Sequence, residues 1–457
     1  MHPSCPLVAV GLVTGRVQVF DAGAQSSTMA TTAAASTKAV TTTTAAAAPS
    51  TPSSPLVSVR ASSSSSRAVS FSADGSALYV GDAEGNLTSI DVSTGKVSAR
   101  LLQNANGGSA FTRLVAALLV SSSNNSSSFL PATSVISGDE AGTVRVWDPR
   151  CREPAVEFSG AHQGGEQVSD LLPLPAGAAA GLKSNTSEAS SPATTTTGGV
   201  VSVGSDGTLA LLDFARAGGK SNGIASRSDP DEDELLCLGF AKNFSTLCCG
   251  SAGGVLSLWK PRAAGGLAGC ADRLPLARLS AKEGGERPAI NSLASLDGAA
   301  GSGAKSGGGG GSLLLAGCAD GKLRVLSVLP NKVLCTLGGA HGDGREVLRA
   351  RTGGNGSGEG GFCSVAASVA APSKSLCLWS CEALRASAAS AASAVAASAG
   401  VGGKRARRRQ AEAEDESSDD EEDEEESDDD DEEEEAAPKK GKASASRPDS
   451  FFDGIVS

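Results

Sequence analysis

The sequence predicts an all-β protein, a seven-bladed β-propeller with low-complexity loop insertions and a disordered acidic C-terminal tail. Three observations carry this prediction. First, a hairpin phrase of small apolar residues, a turn that usually holds Gly, and a second strand recurs seven times. Second, a large apolar residue stands five residues after each turn anchor. Third, such a hairpin cannot bury its own faces and must stack on neighbouring hairpins.

The seven hairpins align on one anchor position in the turn. The anchors are Gly15, Gly85, Gly142, Gly207, Gly254, Gly321 and Lys374. The bulky residues that follow are Phe20, Ile90, Trp147, Leu212, Trp259, Leu326 and Trp379. Each hairpin supplies the two middle strands of a blade, and the segments between hairpins must supply an inner and an outer strand.

Short apolar segments between the hairpins fit these remaining strands. The predicted inner strands are Arg67–Ser72, Phe111–Val120, Gln167–Leu172, Glu234–Phe240, Ala289–Leu296 and Glu346–Arg351. The predicted outer strands are Leu56–Arg60, Val97–Leu102, Ala155–Ser159, Leu274–Leu279 and Lys332–Leu337. The outer strand of the fourth blade is not evident, because Ala215–Asp229 is polar and glycine-rich.

Successive anchors lie 47 to 70 residues apart, whereas a propeller repeat takes roughly 40–45. The excess is low-complexity sequence that cannot bury enough apolar surface to become ordered, so we expect mobile surface loops there. These fillers are Ala22–Pro55, Ser121–Ser128, Ala176–Gly199, Ala217–Asp229, Gly298–Gly311 and Gly353–Gly361.

The first blade has no candidate inner strand, because Met1-His2-Pro3-Ser4 resembles the turn that follows one. We therefore expect the missing strand to lie upstream of Met1. The alternative is that Ala383–Val401 helps to cover the gap, since an open sheet edge is a liability that proteins usually close.

The charge is distributed unevenly between the repeats and the tail. The whole chain carries a formal charge of −12, yet residues 404–457 hold 9 Lys/Arg and 22 Asp/Glu. We divide the chain into a propeller at residues 1–382, an Ala-rich helical or linker segment at 383–403, and a basic and acidic tail at 404–457. The repeats are thus near neutral, and the net negative charge lies in the tail. The sequence contains no long uncharged apolar run, so we expect no membrane contact.

Cysteine and histidine patterns indicate no metal, cofactor or catalytic site. There are 11 Cys and 3 His, with no CxxC or Cys/His spacing of a zinc site. Cysteines lie in or beside the apolar strands, which predicts buried, reduced thiols and an intracellular protein. They are Cys5, Cys248, Cys249, Cys318, Cys363 and Cys377.

The third hairpin ends in Thr143–Arg150, which closely matches a WD repeat with Asp139, Trp147 and Asp148 in place. In such repeats a His, a Ser or Thr, the turn Asp and the Trp form a hydrogen-bonded set. His162 and Asp206 fit part of this set in the fourth blade, and His341 precedes the seventh. We expect these histidines to fasten blades rather than to act in catalysis.

Trp147, Asp148 and Arg150 also form the WDxR pattern of propellers that dock on the damaged-DNA-binding adaptor of cullin ubiquitin ligases. Arg150 would then lie on one rim and contact the adaptor. The alternative is an ordinary repeat end, because the pattern arises by chance among WD repeats.

The tail holds three candidate interaction segments. Lys404, Arg405, Arg407, Arg408 and Arg409 suit a nuclear import signal or a nucleic-acid contact, with a solvated charge run as the alternative. Residues 412–435 hold 20 Asp/Glu, which either engage basic proteins or keep the chain soluble. Phe451 and Phe452 are a candidate docking peptide, because an apolar pair in such a tail has no core to join.

The chain resembles the WD repeat-containing protein 55 family, nucleolar propellers linked to ribosome biogenesis. The resemblance lies in the N-terminal segment 2–20, in segment 67–96, in segment 328–344, which begins VLPNKVLC, and in the closing Phe-Phe-Asp-Gly-Ile. It implies a monomeric, non-enzymatic scaffold of the nucleus and nucleolus. Its implied partners are proteins of ribosome assembly, with an indirect association with pre-ribosomal RNA and no cofactor.

Overall fold

A computed structural model of the chain describes most of the repeat region. The described residues are 1–2, 5–22, 49–52, 54–72, 74–102, 108–118, 133–151, 153–174, 199–214, 223–241, 246–261, 267–279, 285–296, 312–337, 346–352, 365–371, 375–391 and 393. All of them belong to one compact unit, Met1–Ser398.

The strands form seven antiparallel sheets, which we number as blades one to seven in chain order. Blade one holds β1 (Leu7–Gly11), β2 (Arg16–Asp21) and β3 (Val57–Arg60); blade two holds β4 (Ser66–Phe71), β5 (Ala77–Asp82), β6 (Leu87–Asp91) and β7 (Lys96–Leu102). Blade three holds β8 (Phe111–Leu118), β9 (Thr133–Asp139), β10 (Val144–Trp147) and β11 (Pro154–Phe158); blade four holds β12 (Val168–Pro173), β13 (Gly199–Gly204), β14 (Leu209–Asp213) and β15 (Ile224–Arg227).

Blades five to seven continue this order. Blade five holds β16 (Leu235–Ala241), β17 (Thr246–Ser251), β18 (Val255–Pro261) and β19 (Leu267–Pro275); blade six holds β20 (Ile290–Ser295), β21 (Ser312–Cys318), β22 (Leu323–Val328) and β23 (Lys332–Leu337). Blade seven holds β24 (Glu346–Thr352), β25 (Val365–Ala371) and β26 (Ser375–Ser380). A short 3-10 helix, Gln163–Gly165, precedes β12. This architecture confirms the predicted all-β propeller.

The turn anchors explain why the hairpins look alike. The six anchor glycines adopt φ between +71° and +76°, a left-handed conformation that only Gly adopts at low cost. Lys374, the seventh anchor, lies outside the described residues. Six of the seven bulky residues that end the hairpins are fully or nearly fully buried, and Phe20 is half-buried.

Small residues in the second strand of a blade let the next blade approach closely. A Cβ on Gly138 of β9 would lie 2.5 Å from Val168 of β12, and one on Gly81 of β5 would lie 2.9 Å from Phe111 of β8. In blades three, four, six and seven the apolar residue at the start of the inner strand therefore packs against a Gly of the preceding blade, which accounts for the Gly at that position of the hairpin.

Blade one packs against blade seven, so the ring closes even though blade one shows no inner strand among the described residues. The shared cluster contains Val8, Ala22, Ala367, Leu376 and Leu378. Ser50 also forms a two-bond bridge with Leu378 of β26, with N–O distances of 2.9 and 2.8 Å. The expectation that Ala22–Pro55 is a mobile loop throughout is therefore wrong at both of its ends.

Residues 381–391 form a helix, α1, within and just before the segment for which the sequence predicts helix or linker. Its Leu384 and Ala388 pack with Leu296 and Val347, between blades six and seven. Arg385 Nε donates to the Leu296 carbonyl at 2.8 Å. The alternative that this segment covers the gap at blade one is wrong for its described part. Among the described residues, no helix has the length and hydropathy to cross a membrane.

All six predicted inner strands are confirmed as β4, β8, β12, β16, β20 and β24, with shifts at their ends. Four outer strands, β3, β7, β11 and β23, also match. The fifth prediction, Leu274–Leu279, is wrong because β19 starts at Leu267, whose side chain is buried between blades four and five. The segment Ala217–Asp229 is not only filler, since it contains β15, which pairs with β14.

Candidate functional site

Trp147 ends β10 and faces the interior. Antiparallel pairing places it opposite Val135 of β9. Its side chain is 1% exposed, and its indole N–H donates to Ser137 Oγ at 2.8 Å. Trp147 therefore stabilises blade three. Its ring is buried and is not accessible to a partner protein.

Asp148 and Arg150 follow Trp147 in the turn after β10. Arg150 Nε donates to Asp148 Oδ1 at 2.9 Å and Nη2 donates to Oδ2 at 2.7 Å. The Arg150 side chain remains 76% exposed. Hydrogen bonds from Arg150 lower the pKa of Asp148 against a small effect of burial. The turn thus presents a guanidinium in a fixed orientation, with its remaining donors available at the surface.

The structure brings together the predicted set in blade four. His162 Nδ1 lies 3.0 Å from Asp206 Oδ1, and Nε2 lies 3.1 Å from Ser202 Oγ. Because a carboxylate only accepts, Nδ1 carries the proton and Nε2 accepts from the Ser202 hydroxyl. Burial opposes the ionised form of Asp206, but hydrogen bonds from His162 and the Gln163 backbone N–H outweigh it and lower its pKa.

This Ser, His and Asp arrangement has the residue types of a hydrolase triad, but it is closed to solvent. The His162 side chain is 0% exposed and Ser202 is 0% exposed. A nucleophile must reach a substrate carbonyl, and this hydroxyl cannot. The set instead ties the loop before blade four to the hairpin of that blade, as expected for a WD repeat.

The hydrogen bond from the indole N–H of Trp147 to a Ser hydroxyl in blade three has a counterpart in blade seven. Blade five has no such bond among its described residues. Trp379 Nε1 donates to Ser368 Oγ at 2.9 Å. Trp259 occupies the matching place in blade five, opposite Leu247, so Cys249 stands where a Ser would. The indole N–H of Trp259 is buried and has no acceptor within the part of the chain that the structure describes.

Sequence reasoning missed a charged cluster on the innermost strands. Asp170 of β12 forms an ion pair with Arg113 of β8, and its Oδ2 lies 3.7 Å from Arg349 Nη1 of β24. The backbone N–H groups of Leu171 and Leu238 also donate to this carboxylate, at 2.9 and 3.0 Å. Burial raises the pKa of Asp170, and Arg349 and these N–H groups oppose that effect.

The local sequence carries no signal for this cluster, which is defined by the register of the inner strands. Arg113, Asp170 and Arg349 each come directly after the β-bulge of their inner strand, so they occupy equivalent positions around the ring. Their alignment requires the bulge register, which the sequence does not display. The cluster joins blades three, four and seven and is structural, because the carboxylate is fully saturated by partners from the chain itself.

The buried cysteines fit the prediction only in part. Cys248, Cys249, Cys318 and Cys377 are buried and free, whereas Cys5 is exposed, contrary to the prediction. Cys363 lies outside the described residues. Burial raises the pKa of Cys248 to about 12 and, despite Arg324, that of Cys318 to about 11. The described residues contain no cluster of His, Cys, Asp or Glu that fits a metal ion.

The remaining predicted site residues lie outside the described residues. They are His341, the basic cluster Lys404, Arg405, Arg407, Arg408 and Arg409, and the pair Phe451 and Phe452. Of the predicted site residues that the structure describes, Trp147 is internal and Arg150 is available to a partner.

Comparison with known proteins agrees with this geometry. No protein-family model matches the chain. The chain is 28% identical over 355 residues to WD repeat-containing protein JIP5 of Malassezia globosa, covering 75% of this chain and 71% of that protein. It is 26% identical over 342 residues to WD repeat-containing protein 55 of Arabidopsis thaliana, covering 74% and 69% respectively.

A further JIP5 protein, from Phaeosphaeria nodorum, is 28% identical over 348 residues, covering 73% of this chain and 69% of that protein. Together with the hairpins, the Trp–Ser bonds and the His162 set, these similarities place this chain among WD-repeat propellers, which generally act as protein-interaction scaffolds. The chain is thus similar to WD repeat-containing protein 55 and to the JIP5 proteins over about three-quarters of its length, which supports the resemblance to the WD repeat-containing protein 55 family.

Proposed function

We propose that this protein is a non-enzymatic nucleolar scaffold that supports ribosomal RNA production or processing, and thereby ribosome biogenesis, through protein–protein contacts. The observation that carries the proposal is the similarity to WD repeat-containing protein 55 and the JIP5 proteins over about three-quarters of the chain. The ribosomal part rests on the family resemblance of segment 328–344 and of the closing Phe-Phe-Asp-Gly-Ile.

The mechanism is multivalent. The blades are fixed by buried contacts such as Trp147–Ser137 and His162–Asp206, so their rims provide rigid surfaces for folded partners. The tail adds the basic cluster at 404–409 for nuclear import, the acidic tract at 412–435, and Phe451-Phe452 for docking. Linking several weak contacts in one chain raises the overall affinity for an assembly.

The test is localisation together with depletion. A tagged full-length protein is expected in the nucleolus, and its depletion is expected to change the levels of precursor ribosomal RNA. Exclusion from the nucleolus combined with unchanged precursors would refute the proposal. Affinity purification of the full chain beside a version that ends before residue 404 then separates ring partners from tail partners.

A second candidate function is that of a substrate receptor on the damaged-DNA-binding adaptor of a cullin ligase. The favouring observation is the 76% exposed side chain of Arg150, held in position by Asp148. Co-purification with the adaptor should disappear in Arg150→Ala. Arg67→Ala is the matched control, because Arg67 is also exposed and paired with a carboxylate, that of Glu140. Binding that survives in Arg150→Ala removes this residue from the adaptor interface.

A further inference from the structure

The inner strands of the ring share one layer of side chains that carries an excess of positive charge. Each inner strand from blade two to blade seven contains a β-bulge, and the residue directly after the bulge occupies an equivalent position in every strand. Because the inner strands surround the central channel of a propeller, these positions form one layer around it. They hold Ala68, Arg113, Asp170, Cys237, Ser292 and Arg349.

The single carboxylate of this layer balances only one of its two cations. Asp170 forms an ion pair with Arg113, and its Oδ2 lies 3.7 Å from Arg349 Nη1, a distance longer than a hydrogen bond. The backbone N–H groups of Leu171 and Leu238 also donate to this carboxylate. The carboxylate is therefore saturated, whereas the two guanidinium groups around it retain an excess of one positive charge.

The two guanidinium groups also retain unused hydrogen-bond donors. A guanidinium carries five N–H bonds in a planar fork. No residue within the described ranges accepts a hydrogen bond from the terminal nitrogens of Arg113 or from any nitrogen of Arg349. The Arg113 side chain is 11% exposed and that of Arg349 is 30% exposed. The cluster is thus mostly buried but open to solvent at Arg349.

The excess charge cannot disappear by loss of a proton, because Arg stays protonated in proteins. The neighbouring thiol of Cys237 does not supply a negative charge either. Burial and the nearby Asp170 carboxylate raise the pKa of Cys237, which outweighs the opposing effect of Arg349, and its Sγ donates to the Ile290 carbonyl at 3.2 Å. An uncompensated charge in a mostly buried site is costly, so a bound anion would stabilise this layer.

The free donors select the chemistry of that anion. Asp170 repels any anion, so the ligand needs several acceptor oxygens that reach both guanidinium groups at once. A tetrahedral phosphate provides them and matches the fork of Arg, whereas a chloride ion does not. We propose that Arg113 and Arg349 form an oxyanion site in the central channel that binds a phosphate group, either as free phosphate or as the phosphoryl group of a small molecule. Asp170 positions the two guanidinium groups.

Equilibrium dialysis of the full-length protein tests this site directly. The two probes are radiolabelled inorganic phosphate and radiolabelled glycerol 3-phosphate, each at an ionic strength held constant with chloride. Saturable binding of one phosphate group per chain is expected with at least one probe. Binding of inorganic phosphate alone assigns the site to the free ion, and binding of glycerol 3-phosphate assigns it to a phosphoryl group.

The channel variant is Arg349→Gln, in which the affinity for the bound probe should fall roughly tenfold. The matched control is Arg16→Gln, because Arg16 is exposed and donates to Ser58 rather than to a carboxylate. A second control replaces tail cations that also attract phosphate, Arg405→Gln with Arg407→Gln and Arg408→Gln. Both controls should retain the affinity of the unchanged protein. Circular dichroism of each variant verifies that it folds.

Absence of saturable binding with both probes, or an affinity that is unchanged in Arg349→Gln or falls equally in Arg16→Gln, would overturn the proposal. So would binding that is lost only in the tail variant. If Arg349→Gln does not fold, Arg349→Lys replaces it. Lys keeps the charge but lacks the planar fork, so the affinity should fall several-fold, and an unchanged affinity would then overturn the proposal. Dialysis involves no partner protein, so this result is independent of the scaffold function.

Discussion

Arg349 on the inner strand of blade seven lies 3.7 Å from Asp170 on the inner strand of blade four. These two blades are not neighbours in chain order, and two further blades separate them. Asp170 also binds Arg113 of blade three. The Asp170 carboxylate therefore contacts blades three and seven directly. Packing between neighbouring blades would connect blades four and seven only through the blades that lie between them.

Asp170→Asn should lower the free energy of unfolding by about 3 kcal/mol, because it leaves two guanidinium groups without their buried anion. The matched control is Glu157→Gln, which removes a half-exposed partner of Arg145 and should cost less than about 1 kcal/mol. Urea unfolding followed by circular dichroism measures both. Equal losses in the two variants would show that the Asp170 cluster contributes no more than a surface pair.

Acid should weaken the protein through Asp206. Its pKa is lowered in the folded state, so its contribution to stability is present above the pKa of an unfolded Asp, about 4, and is lost as pH falls below that value. Asp206→Asn should remove about 1–2 kcal/mol near neutral pH, a figure reduced for solvent screening. The measurement is the free energy of unfolding of the unchanged protein and of Asp206→Asn, from pH 6 down to about 3. If the difference in unfolding free energy between the two proteins does not shrink as the pH falls, ionised Asp206 is not the source of that stability.

The two adjacent cysteines of β17 should respond differently to the same change. Cys249→Ser places a hydroxyl where Ser137 and Ser368 accept from Trp147 and Trp379, so the free indole N–H of Trp259 gains an acceptor. Its effect should lie within about 0.5 kcal/mol of neutral or be stabilising. Cys248→Ser buries a hydroxyl among Leu256 and Leu258 and should cost about 1–2 kcal/mol. Equal destabilisation in thermal unfolding would contradict this difference.

A side chain at the glycine turn anchor of blade three should destabilise the protein. In Gly142→Ala the new Cβ would lie 2.5 Å from the Glu166 carbonyl oxygen, at a φ of +74°. The expected loss is about 3 kcal/mol from strain together with the clash. Gly160→Ala is the control, because Gly160 has a φ of +69° and open space around it, and should cost about 1 kcal/mol. Urea unfolding of the two variants gives the difference, and similar losses would exclude the clash.

The hairpins were predictable because their signals are local. Gly142 and Trp147 stand five residues apart, and the turn conformation and the buried strand end follow from that spacing. The His162 and Asp206 pair was also predictable, since a WD repeat fixes where each of its members lies. These features depend on residues within one blade or between adjacent blades.

The features that were missed depend on contacts between distant segments. Strand β15 lies within a polar, glycine-rich segment, and only its pairing with β14 makes it a strand. The start of β19 depends on Leu267 finding a core between two blades. The Asp170 cluster depends on bulges at equivalent positions of three inner strands, and nothing in the neighbouring sequence marks those bulges.

The contact between blade one and blade seven has a consequence for synthesis of the chain. Val8 and Phe20 are made more than three hundred residues before their apolar partners Leu376 and Leu378. Until blade seven has been made, the apolar face of blade one that packs against it remains exposed to solvent. A chaperone that binds apolar strands should therefore associate with nascent chains of this protein until the last blade has emerged from the ribosome.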